Sequence, residues 1–257
     1  MHSTQRYVAY HVSHLLCATV RRGLIFALVI VAAFSVPTPV RAQAQELLFD
    51  GGFELGGVNW QISSTYTTAN SGGWYLSAVG NPSPLTGLAT NLAGPAAGLY
   101  VVSDQQATGT MALFQTFTVP SDASLTHLFL SFDMFVNDWS NQPTYNPNQH
   151  ARVDITGATG TAHLAASIFN GYLGTDGGPL PNEFEHYEFD ILPFVAQGQS
   201  YRVRFQTVVG VSQLNQGIDN VSVLAVPEPS TWMMTLAAAT MIGGVLGRQR
   251  RRRRDTR

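Results

Sequence analysis

Residues 127–136 read HLFLSFDMFV, and every second side chain from Leu128 to Val136 is apolar. Residues 201–209, YRVRFQTVV, repeat the pattern, with polar side chains between the apolar ones. Because successive side chains of a β-strand point to opposite faces of the sheet, a period of two indicates strands with one buried face. The two stretches therefore predict a core built from β-sheet.

Shorter candidate strands lie on both sides of these two stretches. They cover residues 99–103, 111–119, 151–155, 163–169, 185–191 and 220–224. Gly, Pro, Asn and Asp cluster between them, as turns require, and no part of the body keeps a helical period. Residues 45–225 are therefore predicted to form one antiparallel β-sandwich.

The two edges of this body resemble a known class of β-sandwich. Residues 47–54, LLFDGGFE, are similar to the opening strand of galactose-binding-like jelly rolls, which include many carbohydrate-binding modules, although their usual form has Asn where this chain has Asp50. Residues 217–223, GIDNVSV, resemble the closing strand. The resemblance implies a jelly roll in which Glu54 and Asp219 help to bind one structural calcium ion, since calcium prefers carboxylate and carbonyl oxygens. The alternative is that Glu54 hydrogen-bonds across the first turn and Asp219 caps a bend.

The N-terminal segment has the layout of a secretory signal peptide. Arg21 and Arg22 precede an apolar run at 24–34, and Ala44 ends a small-x-small site at residues 42–44. This order of basic, apolar and small residues is typical of export signals. Residues 1–44 are predicted to be removed on export through the Sec translocon, and the only cysteine, Cys17, leaves with them.

The C-terminal segment, residues 226–257, has three parts. The motif Pro227-Glu228-Pro229 is followed by an apolar stretch at 231–247, which is barely long enough to span a membrane as a helix. An arginine-rich tail at 248–257 follows, and its charge predicts that the tail stays in the cytoplasm. From the residues alone, an ordinary membrane anchor with a proline hinge explains the segment equally well.

These three parts in this order resemble the PEP-CTERM sorting signal of Gram-negative bacteria. The resemblance implies that an exosortase recognises Pro227, Glu228 and Pro229 and removes the tail. It also implies export across the inner membrane, transient anchoring through the helix, and release to the cell surface or an exopolysaccharide matrix.

The charge of the body restricts its partners. Between residues 45 and 225 there are fourteen Asp and Glu residues against three Arg, and the whole chain contains no Lys. Nucleic acids and anionic lipids bind to positive charge, so neither is an expected partner. Cations and neutral sugars are compatible with this balance.

Sugar binding has two candidate residues. Trp139 and Tyr145 lie in a polar segment at 137–150, and an aromatic face offers apolar contact to a sugar ring. Packing within the fold is the alternative for both, and Trp60, near the first strand, is predicted to belong to the core.

No catalytic motif is recognised in the body. The acidic residues at 183–190 alternate with aromatic ones, which favours a solvated strand face over a pair of catalytic carboxylates. The sequence thus predicts a non-enzymatic exported protein, with no cofactor other than the calcium, that binds exopolysaccharide. The alternatives are a purely structural matrix component and a secreted polysaccharide hydrolase.

Overall fold

Strands account for nearly all secondary structure in this computed structural model, which describes residues 43–66, 71–90, 98–140, 145–176 and 179–228. The strands are β1 (Gln45–Glu46), β2 (Gln61–Ser64), β3 (Gly72–Ala78), β4 (Leu99–Gln105), β5 (Gly109–Thr118), β6 (Leu125–Asp138), β7 (Gln149–Gly157), β8 (Ser167–Gly174), β9 (Glu185–Asp190), β10 (Ser200–Val209) and β11 (Leu214–Pro227). Two 3-10 turns lie at Ala162–Leu164 and Leu192–Phe194. The predicted all-β class is confirmed.

The strands form two antiparallel sheets that pack face to face. Sheet A has the order β3-β4-β11-β6-β9, and β1 also pairs with β11. Sheet B has the order β2-β5-β10-β7-β8. From β4 to β7 the chain changes sheet at every connection, which places strands distant in sequence side by side, as in Greek-key sandwiches.

The period of two in the sequence determines which side chains fill the space between the sheets. Along β6, the alternate residues Leu128, Leu130, Phe132 and Met134 are completely buried. Val203 and Phe205 of β10 contribute to the same core from the opposite sheet. Trp60 also packs against it, with its ring 5.2 Å from Phe53, so its predicted core position is confirmed.

The long central strands give the sandwich two distinct ends. Leu214 pairs with Asp138 at the start of β11, whereas Pro227 pairs with Leu125 at its close. β1 runs beside the closing half of β11, with Gln45 opposite Ala225. The first and last described residues therefore emerge at one end, which we call the terminal end, and the β4–β5 and β10–β11 turns lie at the other, which we call the loop end.

One predicted strand is wrong in part. The sequence predicted a strand at 163–169, but residues 162–164 form a 3-10 turn and the strand begins only at Ser167. The carbonyl groups of Ala162 and Ala165 accept hydrogen bonds from Arg204 of β10, and this contact with a residue distant in sequence holds the turn.

Several predictions fall on parts of the chain outside the described residues. These are the signal peptide up to residue 42, Pro229, the membrane helix at 231–247 and the arginine-rich tail. Among the residues that are described, none belongs to a helix with the length and apolar character needed to cross a membrane.

Candidate functional site

The first turn of the body is organised by Asp50. Its carboxylate accepts hydrogen bonds from the backbone N–H groups of Leu55, Gly57 and Val58, at 2.7–3.0 Å. Its own carbonyl accepts the indole N–H of Trp60 at 3.0 Å. A carboxylate suits this position because the side chain only accepts hydrogen bonds there.

The predicted calcium ligands lie beside this turn. Asp219 is on β11 directly before a β-bulge, and its carboxylate accepts the N–H of Asn220 at 2.7 Å. Glu54 is exposed and accepts the N–H of Leu99 at 3.0 Å. The N–H of Val221 donates to the carbonyl of Gly51 at 3.0 Å, which joins the turn to the bulge. The two backbones are so close that a side chain at position 51 would collide with the carbonyl of Val221.

The electrostatics of Asp219 suit a cation. Burial raises the pKa of Asp219 to about 6, and the carboxylates of Asp133 and Glu54 add to that rise. A buried carboxylate with two acidic neighbours gains from a nearby positive charge. Within the described residues, no group of three or more His, Cys, Asp or Glu is arranged to hold a metal, so Glu54 and Asp219 would need backbone carbonyls as further ligands.

A cavity opens at the loop end of the sandwich. Its volume is 150 Å³, and two turns form its walls. The lining residues are Gln105, Gln106, Ala107, Thr108, Val209, Val211, Ser212 and Gln213. A cavity of this size between two turns admits a small ligand or the end of a larger one.

Gln105 distinguishes this cavity. Its side chain points inward from β4 and is 1% exposed, and neither polar atom of its carboxamide has a hydrogen-bond partner among the described residues. Buried amide groups in folded proteins nearly always have partners, because a missing partner costs free energy. An unpaired donor and an unpaired acceptor beside a cavity therefore indicate a place for a polar ligand or for water.

Trp139 lies next to the same cavity. Its backbone N–H donates to the carbonyl of Gln213, at 3.1 Å, which ties the β6–β7 connection to the cavity wall. The indole nitrogen of Trp139 and the Oδ2 atom of Asp138 are both buried, and neither has a partner within the described ranges. Buried polar atoms without partners thus occur both at Gln105 and where β6 passes into this connection.

Tyr145 occupies a different part of the connection. Tyr145 is 47% exposed, and its ring lies 5.1 Å from the ring of His150, inclined at 50°. Of the ring contacts between described residues, none joins Tyr145 to Trp139, and residues 141–144 between them are not described. Burial lowers the pKa of His150, which favours the neutral ring beneath Tyr145.

The outer face of sheet B is covered by its own side chains and by a loop. Arg204 is 1% exposed and forms a two-pronged ion pair with Asp154, at 2.8 and 2.5 Å. Arg202 is buried under the same loop, where it donates to the carbonyls of Thr159 and Gly160. Arg152 is partly buried, with Nη1 3.9 Å from Asp154. All three arginines of the body are therefore engaged in the fold.

The acidic strand β9 faces solvent, as expected. Glu185 and Glu188 are exposed, and the hydroxyl of Tyr187 donates to Glu185 at 3.0 Å. Asp190 pairs with His127 at 2.8 Å and also accepts backbone N–H groups. These partners belong to the sheet and its turns.

The start of the sorting motif is part of the fold. Pro227 is the last residue of β11, and the backbone N–H of Glu228 donates to the carbonyl of Ser124 at 2.6 Å. The predicted domain boundary at residue 225 thus falls inside a strand.

Comparison with known proteins identifies this motif. Residues 225–253 match the model of the PEP-CTERM protein-sorting motif, and the predicted resemblance is confirmed. The chain therefore carries the signal of exported proteins that are transiently anchored in Gram-negative membranes and processed by an exosortase. No curated protein matches the sequence.

The sandwich is similar to several solved structures at low identity. TmCBM61 in complex with β-1,4-galactotriose has 12% identity and a TM-score of 0.43, and the match covers 72% of this chain and 99% of the module. The family 11 carbohydrate-binding module from Clostridium thermocellum has 13% identity and a TM-score of 0.39, with coverages of 73% and 99%. The enzymatically active domain of tailspike protein 4 from bacteriophage CBA120 has 14% identity and a TM-score of 0.40, over 70% of this chain but 21% of the tailspike chain. Similarity at this level concerns the arrangement of strands and says nothing about ligand or activity.

Proposed function

We propose that this exported protein is a non-enzymatic polysaccharide-binding protein of the cell surface or extracellular matrix. The observation that supports the proposal most directly is the cavity at the loop end, where Gln105 presents an unpaired carboxamide. A sugar hydroxyl both donates and accepts hydrogen bonds, so neighbouring hydroxyls satisfy the two halves of a carboxamide.

Aromatic side chains complete the proposed site. Trp139 adjoins the cavity through its bond to Gln213, and Tyr145 presents an exposed ring from the same connection. Stacking of a sugar ring on such a face adds contact area at low cost in side-chain entropy. The site thus combines hydrogen bonding at the cavity with apolar contact beside it.

The charge of the body favours a neutral polysaccharide. Between residues 43 and 228 the only Lys or Arg residues are three arginines, and all of them are engaged with Asp154 or with loop carbonyls. An acidic polysaccharide would meet a surface of like charge and would need divalent cations to bridge the two.

We also propose that Glu54 and Asp219 hold one structural calcium ion. Its positive charge offsets the repulsion among the carboxylates around Asp219. In this proposal the ion stabilises the junction of the first turn with β11 and takes no part in chemistry.

The proposed route begins with export by the Sec translocon and ends with exosortase processing at Pro227-Glu228-Pro229. Purified body, residues 43–228, tested against neutral and acidic polysaccharides by affinity electrophoresis, examines the binding step. Retention by a neutral polysaccharide that Trp139→Ala weakens supports the proposal. Failure to be retained by any of them favours a purely structural matrix component, and release of reducing sugar would favour the hydrolase.

A further inference from the structure

The sorting motif and the folded body share residues, although the sequence alone separates them. Val226, Pro227 and Glu228 lie against residues 124–127 of the neighbouring strand β6 and the turn before it. We call this contact the clasp. The first two residues of the sorting motif, Pro227 and Glu228, are therefore held by contacts with the sheet.

Several hydrogen bonds hold the clasp. The N–H of Glu228 donates to the carbonyl of Ser124 at 2.6 Å, and the hydroxyl of Thr126 donates to the carbonyl of Val226 at 3.0 Å. Pro227 pairs with Leu125, and a register irregularity at Thr126 lies directly beside this pair. The backbone groups that a second protein would use to bind the start of the motif therefore already have hydrogen-bond partners in the body.

Asp122 maintains the turn that presents the acceptor carbonyl. One oxygen of its carboxylate accepts both the N–H and the hydroxyl of Ser124, each at 2.9 Å, and its carbonyl accepts the N–H of Leu125 at 3.0 Å. The bonds from Ser124 lower the pKa of Asp122. Asp122 is exposed and lies outside the motif, so changing it loosens the clasp without altering the signal.

An enzyme that processes an extended peptide normally binds its backbone N–H and C=O groups. In the clasp, the N–H of Glu228 and the carbonyl of Val226 are already occupied by the body. We propose that the exosortase acts on an opened form in which Val226, Pro227 and Glu228 have left residues 124–127, and that this opening limits the rate of sorting. The end of a strand opens far more readily than its middle, so the clasp slows processing without preventing it.

The first test changes Asp122 in the full-length chain, expressed in its native exosortase-containing host. The half-time of conversion from precursor to processed protein is followed by pulse-chase. Asp122→Ala should shorten this half-time roughly two- to ten-fold, the range expected when about one hydrogen bond opposes opening. Asp122→Asn keeps the accepting oxygen and should process at nearly the wild-type rate, and Glu188→Ala, on exposed β9, controls for loss of an acidic side chain.

The second test locks the clasp. His127 and Val226 are paired across the strands, and the body contains no cysteine, so the double variant His127→Cys/Val226→Cys allows a single disulfide. Alkylation and gel shift establish that the bond has formed, and each single variant serves as a control. The oxidised precursor should be processed more slowly than either single variant, and a reductant should restore the rate.

These two tests distinguish an exosortase that needs the clasp to open from one that recognises the motif while the clasp is closed. Equal rates for the oxidised and reduced precursor overturn the proposal, since the enzyme would then read the motif on the closed sheet. A wild-type or slower rate for Asp122→Ala also overturns it, because the turn would then not restrain sorting. Thermal unfolding of each purified body shows whether a variant has lost its fold.

Discussion

Asp219 of β11 lies directly opposite Asp133 of β6, so that two carboxylates are paired on the outer face of sheet A. Asp133 has its own partners, His186 at 2.7 Å and the side-chain amide of Asn220 at 2.7 Å. Asp219 has the N–H of Asn220 and lies within electrostatic reach of Glu54. Like charges opposite each other destabilise a sheet unless something compensates them.

This arrangement predicts how stability depends on pH in calcium-free protein. The pKa of Asp219 rises from an ordinary 3.8 to about 6 on folding, so the folded state retains a proton that the unfolded chain loses between these values. The contribution to stability is complete at low pH and is lost as pH rises through about 6. Urea unfolding in EDTA should show a decline on the order of 1 to 3 kcal/mol across this window.

The variant Asp219→Asn isolates this effect. Removing the charge should flatten the decline and make the calcium-free protein more stable than wild type at about pH 7. Glu188→Gln, at an exposed position on β9, should leave the profile unchanged. An equally steep decline in Asp219→Asn would mean that another group is responsible.

Calcium should make wild type more stable than Asp219→Asn, the reverse of the order expected without calcium. About pH 7 lies above the raised pKa of Asp219, so millimolar calcium should raise the melting temperature of wild type there. Asp219→Asn and Glu54→Gln should lose this response, while magnesium at equal concentration serves as the control. Absence of a calcium-dependent shift in wild type would exclude the site.

The buried pair of Arg204 and Asp154 should be costly to break. Arg204→Met leaves the completely buried carboxylate of Asp154 with only the more distant cation of Arg152, at 3.9 Å, and removes the hydrogen bonds from Arg204 to the carbonyls of Ala162 and Ala165. We expect a loss of about 3 to 5 kcal/mol in the free energy of unfolding. The double variant Arg204→Met/Asp154→Leu should recover part of it, and a single variant that costs under about 1 kcal/mol would contradict the assigned role.

Gln105 allows binding to be separated from folding. Gln105→Met keeps the volume of the side chain but removes two buried polar atoms that lack partners, so stability should be unchanged or higher. Binding of polysaccharide should fall at least about ten-fold if the carboxamide contacts the sugar. The matched control is Gln199→Met, an exposed position at the terminal end, and equal binding by both variants would remove Gln105 from the site.

Binding should be nearly independent of ionic strength. With Arg202 and Arg204 buried within the fold, contacts to ligand rest on hydrogen bonds and aromatic faces rather than on ion pairs. Affinity for a neutral polysaccharide measured at about 50 mM and about 500 mM NaCl should agree within roughly two-fold. A steep loss at high salt would point to an acidic ligand bound through cations.

The sequence predicted what depends on local pattern. The alternation in β6 and β10 identifies strands because each has one buried face, and the sorting motif is recognised from three parts that adjoin each other in the chain. β3 was not predicted, since it begins with Gly72 and Gly73 and lacks a clear period of two. Residues 163–164 of the 3-10 turn were predicted as strand because the side chain that holds the turn, Arg204, lies 42 residues after Ala162.

The candidate site was only partly accessible to such reasoning. Composition drew attention to Trp139 and Tyr145, but the bond from Trp139 to Gln213 and the cavity beside it depend on the pairing of distant strands. Gln105 was not predicted at all. The one available signal was a polar residue at an inward position of a short strand, after Val101 and Ser103, and that signal has meaning only once the other sheet is in place.

Strand β11 runs the length of the sandwich, from the loop end to the terminal end. This strand of 14 residues begins beside the loop-end cavity and ends in the clasp, and at about 3.3 Å per residue it separates the two by roughly 40 Å. Within the described body, the cavity and the first residues of the sorting motif therefore lie at opposite ends. The proposed sugar binding and sorting can therefore be altered separately, by substitutions near opposite ends of one strand.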